Sequence, residues 1–177
     1  MEPSELERFE AVVLPHLDAA YTLARYLTRN DHDAQDVVQD AFLRALKYFS
    51  GFRGAGEGGD GRAWLLAIVR NTAYTWLRRH RADAHATEFD EERHSDPVVE
   101  HHPAAVLDRA SARESLHRAL DQLSPEFREV IVLRELEGLS YKEIGDVTGV
   151  PVGTVMSRLS RARRRLQEAL CAGKKGE

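Results

Sequence analysis

The segment SYKEIGDVTGVPVGTVMSRLSRARRRL, residues 140–166, constrains the fold more than any other stretch of the chain. It reads as two short helices around a tight turn. Ser140-x-x-Glu143 has the form of a capping box, in which side chains satisfy the free N–H groups of a first turn. Gly149 supplies the left-handed backbone on which helices commonly end. Pro151 suits the opening of the next helix, where an N–H has no intrahelical partner anyway. This is the layout of a helix-turn-helix, whose second helix enters the DNA major groove.

The second helix sorts its residues by side. Val152, Val155, Met156, Leu159, Ala162 and Leu166 recur at helical spacing and are expected to form a buried stripe. Gly153, Thr154, Ser157, Arg161 and Arg164 fall opposite, flanked by Arg158 and Arg165. Arginine forks match phosphate oxygens and guanine edges, and small hydroxyls approach either. An ordinary solvated helix with a basic face is the plainer alternative. The turn chemistry, the stripe and the arginine face agree with one another and favour DNA.

Charge is unevenly distributed. The chain has 25 Lys+Arg against 29 Asp+Glu. Residues 61–82 carry five Arg and no acid, as do residues 151–167, so the remainder holds 15 basic against 29 acidic side chains. Two basic islands in an acidic body point to two patches for a polyanion. With 177 residues the chain suffices for one ordinary domain or two small ones. No apolar run of about 18 residues is present, so no membrane insertion is expected. MEPSELERFE is acidic and lacks an apolar signal core. Cys171 is the single cysteine, which excludes an internal disulfide, and no Cys/His spacing indicates zinc. A cytoplasmic protein without metal or cofactor is expected.

Strand periodicity is almost absent. Helices are expected over 5–29, 33–49, 62–81, 106–122 and 125–136, followed by the helix-turn-helix. Residues 50–61 contain six glycines and read as a loop. Residues 83–103 hold seven acids, four His, two Pro and no apolar period, as a flexible acidic linker does. His94, His101 and His102 fall there, where a metal site would lack fixed geometry and supporting contacts. The expected organisation is all-α: a helical domain over 1–82, a linker over 83–105, a second helical domain over 106–170 and a tail over 171–177.

Two faces of the first domain stand out. In helix 33–49, Val37, Val38, Ala41, Phe42, Ala45 and Phe49 share the inner side. Asp36, Gln39, Asp40 and Leu43 project outward together. An acidic face centred on a leucine suits a basic protein partner with an apolar contact, or is a solvated face with one stray leucine. In WLLAIVRNTAYTWLRR, residues 64–79, Leu65, Ile68, Val69, Ala73, Trp76 and Leu77 pack. Asn71, Tyr74, Thr75 and Arg78 share the other side. Amide, aromatic and guanidinium groups are what single-stranded nucleic acid binds, although a core helix with a polar outer face reads the same way.

The order DAQDVVQDAFLRAL, FRG, WLLAIVRNTAYTWLRR, an acidic linker and LSPEFREVIVLRELEGLSYKEIGDVTGVPVGTVMSRLSRARRRL resembles a bacterial extracytoplasmic-function sigma factor over about residues 8–170. The resemblance implies a sigma region two bundle and a sigma region four helix-turn-helix without the domain that separates them in housekeeping sigma factors. It implies that Asp33, Asp36, Gln39, Asp40 and Leu43 bind core RNA polymerase at the β′ clamp coiled coil, with the β flap as a further contact. It implies that Arg70, Asn71, Thr72, Tyr74 and Thr75, with Arg78 and Arg79 on backbone, read single-stranded non-template DNA at the minus-ten element. Thr154, Ser157, Arg158, Arg161 and Arg164 would read the double-stranded minus-thirty-five element. The family often has Asp where this chain has Thr75, which bears on the minus-ten preference. Control by an anti-sigma factor in a stress or envelope response is further implied. Catalysis is not: no nucleophile–base pair, phosphate loop or metal cluster is recognisable. A stand-alone regulator with the same helix-turn-helix would bind DNA without polymerase. A sigma mimic acting as antagonist would lack DNA-reading side chains, and Asn71, Arg158 and Arg161 are present.

Overall fold

The computed structural model describes residues 4–54, 61–86 and 104–174, all of whose regular elements are helices. Most of the glycine-rich loop and residues 87–103 of the expected linker, with His94, His101 and His102, lie outside the described residues.

Helices α1 (Glu5–Val13), α2 (Leu17–Thr28), α3 (Asp31–Tyr48) and α4 (Gly61–Ala86) form the first bundle. The single helix expected over 5–29 is two. Pro15 has no N–H to donate, and the chain passes through a short 3₁₀ turn, Leu14–His16, before α2 begins. Arg29 then ends α2 in the left-handed region, at φ 59°. Asn30 starts α3, its side-chain oxygen accepting from the His32 and Asp33 amides at 2.9 and 3.1 Å. The bundle's centre is aromatic at one end. Phe9 meets Phe42 and Phe49 edge-on, with centroids 5.0 and 5.3 Å apart. Leu23, Leu27, Leu65, Leu66 and Val69 fill the rest.

Helices α5 (Ala104–Asp121), α6 (Pro125–Ile131), α7 (Tyr141–Thr148) and α8 (Val152–Lys174) form the second. A wide π turn, Val132–Leu136, follows α6. Ser140 and Glu143 make the capping box in both directions, and Gly149 ends α7 at φ 72°. Gly145 allows the turn to close: a Cβ there would meet the Val150 carbonyl oxygen at 3.0 Å. Pro151 sits one residue before α8 and acts through its carbonyl, which accepts from the Thr154 and Val155 amides at 2.9 and 3.1 Å.

The stripe expected on α8 is narrower than its spacing indicated. Val155, Leu159 and Ala162 are buried and Leu166 half-buried, but Val152 and Met156 are 42 % and 52 % exposed. At about 100° per residue, those two lie some 60–100° from the axis of the buried row, past the arc that α6 and α7 cover.

The two bundles share one continuous core, because α4 packs on α7 and α2 packs on α6. Helix α4 also outruns its expected end, continuing to Ala86.

Candidate nucleic-acid and polymerase interfaces

Three surfaces carry the residues singled out in the sequence, and they are in different states. On α3, Asp36, Gln39, Asp40 and Leu43 are exposed and Asp33 is half-buried. Leu43 is 60 % exposed. Asp40 holds Arg44 one turn on, at 3.1 Å, an exposed pair of small energetic weight. Beside Leu43 runs a shallow, mainly apolar groove lined by Tyr21, Gln35, Val38, Gln39 and Phe42. The α3 pattern gave one wall of this groove. Tyr21 comes from α2 and had no signal, since pairing of the two helices sets its position.

On α8, Ser157, Arg161 and Arg164 are exposed, and among the described residues neither arginine has a side-chain partner. Thr154 is half-buried and its carbonyl accepts the Ser157 hydroxyl at 3.0 Å. Arg158 is half-buried, and its charge acts on Glu129 of α6. Two neighbouring arginines are engaged: Arg163 with Glu135 at 2.7 Å, and Arg165 over the Phe127 ring at 4.9 Å. The face left open is therefore narrower than the five arginines of the segment imply, and it is centred on Arg161 and Arg164.

On α4, the expected strand-reading face divides. Asn71, Arg78 and Arg79 are exposed. Thr75 is half-buried, bonds the Asn71 carbonyl at 3.0 Å and accepts from Arg78 at 3.3 Å. Thr72 is buried, its hydroxyl donating to the Ile68 carbonyl at 2.7 Å. Arg70 turns toward the second bundle. Its Nε and Nη2 donate to the two carboxylate oxygens of Glu129 at 2.7 and 3.1 Å. The Glu129 side chain has no exposed surface. Burial pushes its carboxyl up from the ordinary range, and the Arg70 bonds pull it back. Tyr74 lies against the Arg70 guanidinium, 4.3 Å from ring centroid to carbon. Its hydroxyl is buried without a hydrogen bond, and burial followed by the Glu129 charge holds its pKa far above the usual value.

Arg128 was not singled out by the sequence. It is 3 % exposed, and its guanidinium donates to the carbonyls of Leu120 at 3.0 Å, Leu123 at 2.7 Å, Tyr26 at 2.8 Å and Leu27 at 3.4 Å. One cation thus satisfies carbonyls that end α2 and α5, where orphan C=O groups and the negative dipole ends collect. Arg29 adds a bond to the Asp121 carbonyl at 3.3 Å, and Tyr26 stacks on His117 with centroids 5.5 Å apart. At the far end of α4, Arg62 donates to the Glu137 carbonyl at 3.3 Å and the Glu143 carboxylate at 3.1 Å.

Two helical bundles, one bearing an acidic, leucine-centred helix and the other a helix-turn-helix with an arginine face, define a bipartite DNA-binding factor of the sigma-70 type. Residues 12–83 match the family model for sigma-70 region 2, and residues 113–166 match that for sigma-70 region 4. The chain is 35% identical to the ECF RNA polymerase sigma factor SigE of Mycolicibacterium smegmatis, covering 96% of this chain and 64% of that one. It is 35% identical to the RNA polymerase sigma-H factor of Pseudomonas aeruginosa, covering 92% and 86%, and 35% identical to the ECF sigma-E factor of Escherichia coli, covering 81% and 76%. Among solved structures it resembles the sigma factor RpoE in complex with the anti-sigma factor NepR from Bartonella quintana, with 33% identity, 92% and 96% of the chains covered and a TM-score of 0.73. It also resembles CnrH in complex with the cytosolic domain of CnrY, with 29% identity, 93% and 88% covered and a TM-score of 0.63. The chain belongs to the extracytoplasmic-function RNA polymerase sigma factors, which are transcription initiation factors.

Proposed function

We propose that this chain binds core RNA polymerase and directs it to promoters through two separated DNA contacts, in the cytoplasm and without catalysis of its own. The observation that carries the reading is the pairing of an open arginine face on a helix-turn-helix with an open acidic, leucine-centred face on α3. The first suits a polyanion and the second repels it, so the chain is built to hold DNA and a protein at once. Residues 1–82 act as region two, 83–105 as connector and 106–170 as region four, with 171–177 as tail.

The roles follow the surfaces. Asp33, Asp36, Gln39, Asp40 and Leu43 meet the β′ clamp coiled coil, with the apolar groove beside Leu43 taking a side chain of the partner. The β flap is the further polymerase contact. Thr154, Ser157, Arg158, Arg161 and Arg164 serve the minus-thirty-five duplex, Arg161 and Arg164 being the two free to reach it directly. Arg70, Asn71, Thr72, Tyr74, Thr75, Arg78 and Arg79 serve the minus-ten strand. Of these, Thr72 shapes the helix from within, and Arg70 and Tyr74 become available when region four moves away. Free, the two modules bind promoters weakly. Polymerase fixes their separation and converts the second contact into an intramolecular one. The similar RpoE chain is in complex with the anti-sigma factor NepR, and an anti-sigma factor bound to this chain would keep it idle until a stress releases it.

The test is transcription in vitro with sigma-free core polymerase and fragmented host DNA, followed by sequencing of RNA 5′ ends. Discrete starts preceded by two elements at fixed spacing are expected. Absence of starts despite tight core binding would make the chain an antagonist. Absence of both would make it a stand-alone DNA-binding regulator.

A further inference from the structure

Met156 has no role in the surfaces described so far. Its spacing matches the buried row of α8, yet it is 52 % exposed, on a stretch of helix that carries no acid from Val152 to Gln167. Val152, one turn earlier, leans on α7: a Cβ added at Gly145 would lie 3.9 Å from one of its methyls. A four-residue step turns about 40° farther round a helix, which carries Met156 past that contact and onto the rim of the open face.

The centre of that face is small. Gly153, Ser157 and Ser160 are exposed, and nothing lies within 4 Å of a Cβ added at Gly153. The Ser157 hydroxyl donates to the Thr154 carbonyl at 3.0 Å, which holds it close to the helix. A floor of small residues lets a helix settle deep in a major groove about 12 Å wide. Met156 and Arg161 then stand on the two flanks of this floor, about 140° apart around the axis and about 7.5 Å apart along it. The N-terminal part of such a helix meets base edges. Among the four bases, thymine alone presents a methyl group in the major groove, and apolar side chains contact it. A methionine is unbranched and adapts its shape to such a contact. An apolar pocket on a protein would also cover Met156, but five arginines and no acid over residues 151–167 favour a polyanion around it.

We propose that Met156 is a specificity-determining residue: its side chain packs against the C5-methyl of a thymine in the duplex that α8 reads, roughly two to four base pairs from the base met by Arg161. The inference rests on the sigma reading above and deepens it by naming a base of the minus-thirty-five element. The arginines supply attraction to any duplex, whereas the methyl contact supplies discrimination.

The experiment takes the full chain, with and without core polymerase, and selects duplexes from a random-sequence pool. The enriched duplex is made again with deoxyuridine replacing each thymine in turn, which keeps the base pair and removes only the C5-methyl. One replacement is expected to weaken binding about fourfold, the contribution of one buried methyl-sized group. Met156→Ala is expected to lose at least as much on the thymine duplex and to be indifferent to that replacement. Its salt dependence and circular dichroism should be unchanged. Arg161→Ala is expected to bind more weakly and yet keep the deoxyuridine effect. The proposal is overturned if Met156→Ala stays sensitive to the same replacement, if no thymine is sensitive, or if no common sequence is enriched. Loss of core affinity in Met156→Ala with duplex binding intact would assign the side chain to a protein contact and overturn it too. Transcription with core polymerase is measured alongside. Its failure would remove the sigma reading, while the deoxyuridine series would still decide the methyl contact.

Discussion

Arg128→Ala is expected to be among the most damaging single substitutions in this chain. The side chain is buried and donates to four carbonyl oxygens, three of them at 3.0 Å or less. Hydrogen bonds from a charged donor contribute about 1.5–3 kcal/mol each. Against this stands the desolvation of the cation, several kcal/mol, which its pKa registers: burial pushes the guanidinium down from its usual value. Alanine recovers that cost but removes the donor from the Tyr26, Leu27 and Leu123 carbonyls, the Leu120 carbonyl keeping the Leu123 amide at 3.1 Å, and opens a void. A net loss of about 3–5 kcal/mol follows, equivalent to a fall in melting temperature of roughly 10 °C at about 2–4 °C per kcal/mol. Arg128→Met, which refills the space without the donors, should recover part of the loss, and Arg128→Lys should recover part through a single point charge. Thermal melts followed by circular dichroism at 222 nm (the standard helix signal) would check the series. A melting temperature for Arg128→Ala within about 2 °C of the unaltered chain would refute the reasoning, since it would mean those carbonyls find water or other donors.

Other outcomes follow from the surfaces. Arg161→Ala should cut transcription from a mapped promoter by about 1–3 kcal/mol of binding energy, read as initial rate against promoter concentration, with core affinity unchanged. Asp36→Lys combined with Asp40→Lys should abolish core binding in a pull-down or titration, and a wild-type affinity would contradict the polymerase role of α3. Gly149→Ala forces a Cβ into the left-handed region at φ 72°, and should destabilise the helix-turn-helix by about 1 kcal/mol in urea titrations. Ser140→Ala removes one arm of the capping box and should cost about 1 kcal/mol in the same measurement.

The sequence declared some of this and hid the rest for identifiable reasons. Ser140, Gly149 and the inner row of α8 are local signals: a cap, a positive φ and a helical period are written within a few residues of where they act. The outward set on α3 was legible for the same reason. Val152 and Met156 are exposed although their spacing matches the buried row, because apolar spacing gives a direction but not the width of the arc the neighbours cover. Arg70 and Tyr74 illustrate a deeper limit. A polar outer face of a helix reads alike whether it meets DNA, solvent or a second module, and only the tertiary arrangement decides. Arg128 and Glu129 sit in a short helix where adjacent charges ordinarily signal solvent. Both are buried because each meets groups 59 to about 100 residues away in the chain.

Helix α4 contributes to three things at once. Leu65, Leu66, Val69 and Ala73 belong to its own bundle, Arg62, Arg70 and Tyr74 to the seam between the two bundles, and Asn71, Arg78 and Arg79 to open surface. A chain severed anywhere between Ala86 and Ala104 would therefore yield two pieces with matching faces: cationic and aromatic on one, and Glu129, Glu137 and Glu143 on the other. Such halves would recognise each other without a covalent tether. The factor could be assembled from two separately made parts, and region-two and region-four halves of sister sigma factors could be shuffled only where those seam residues agree.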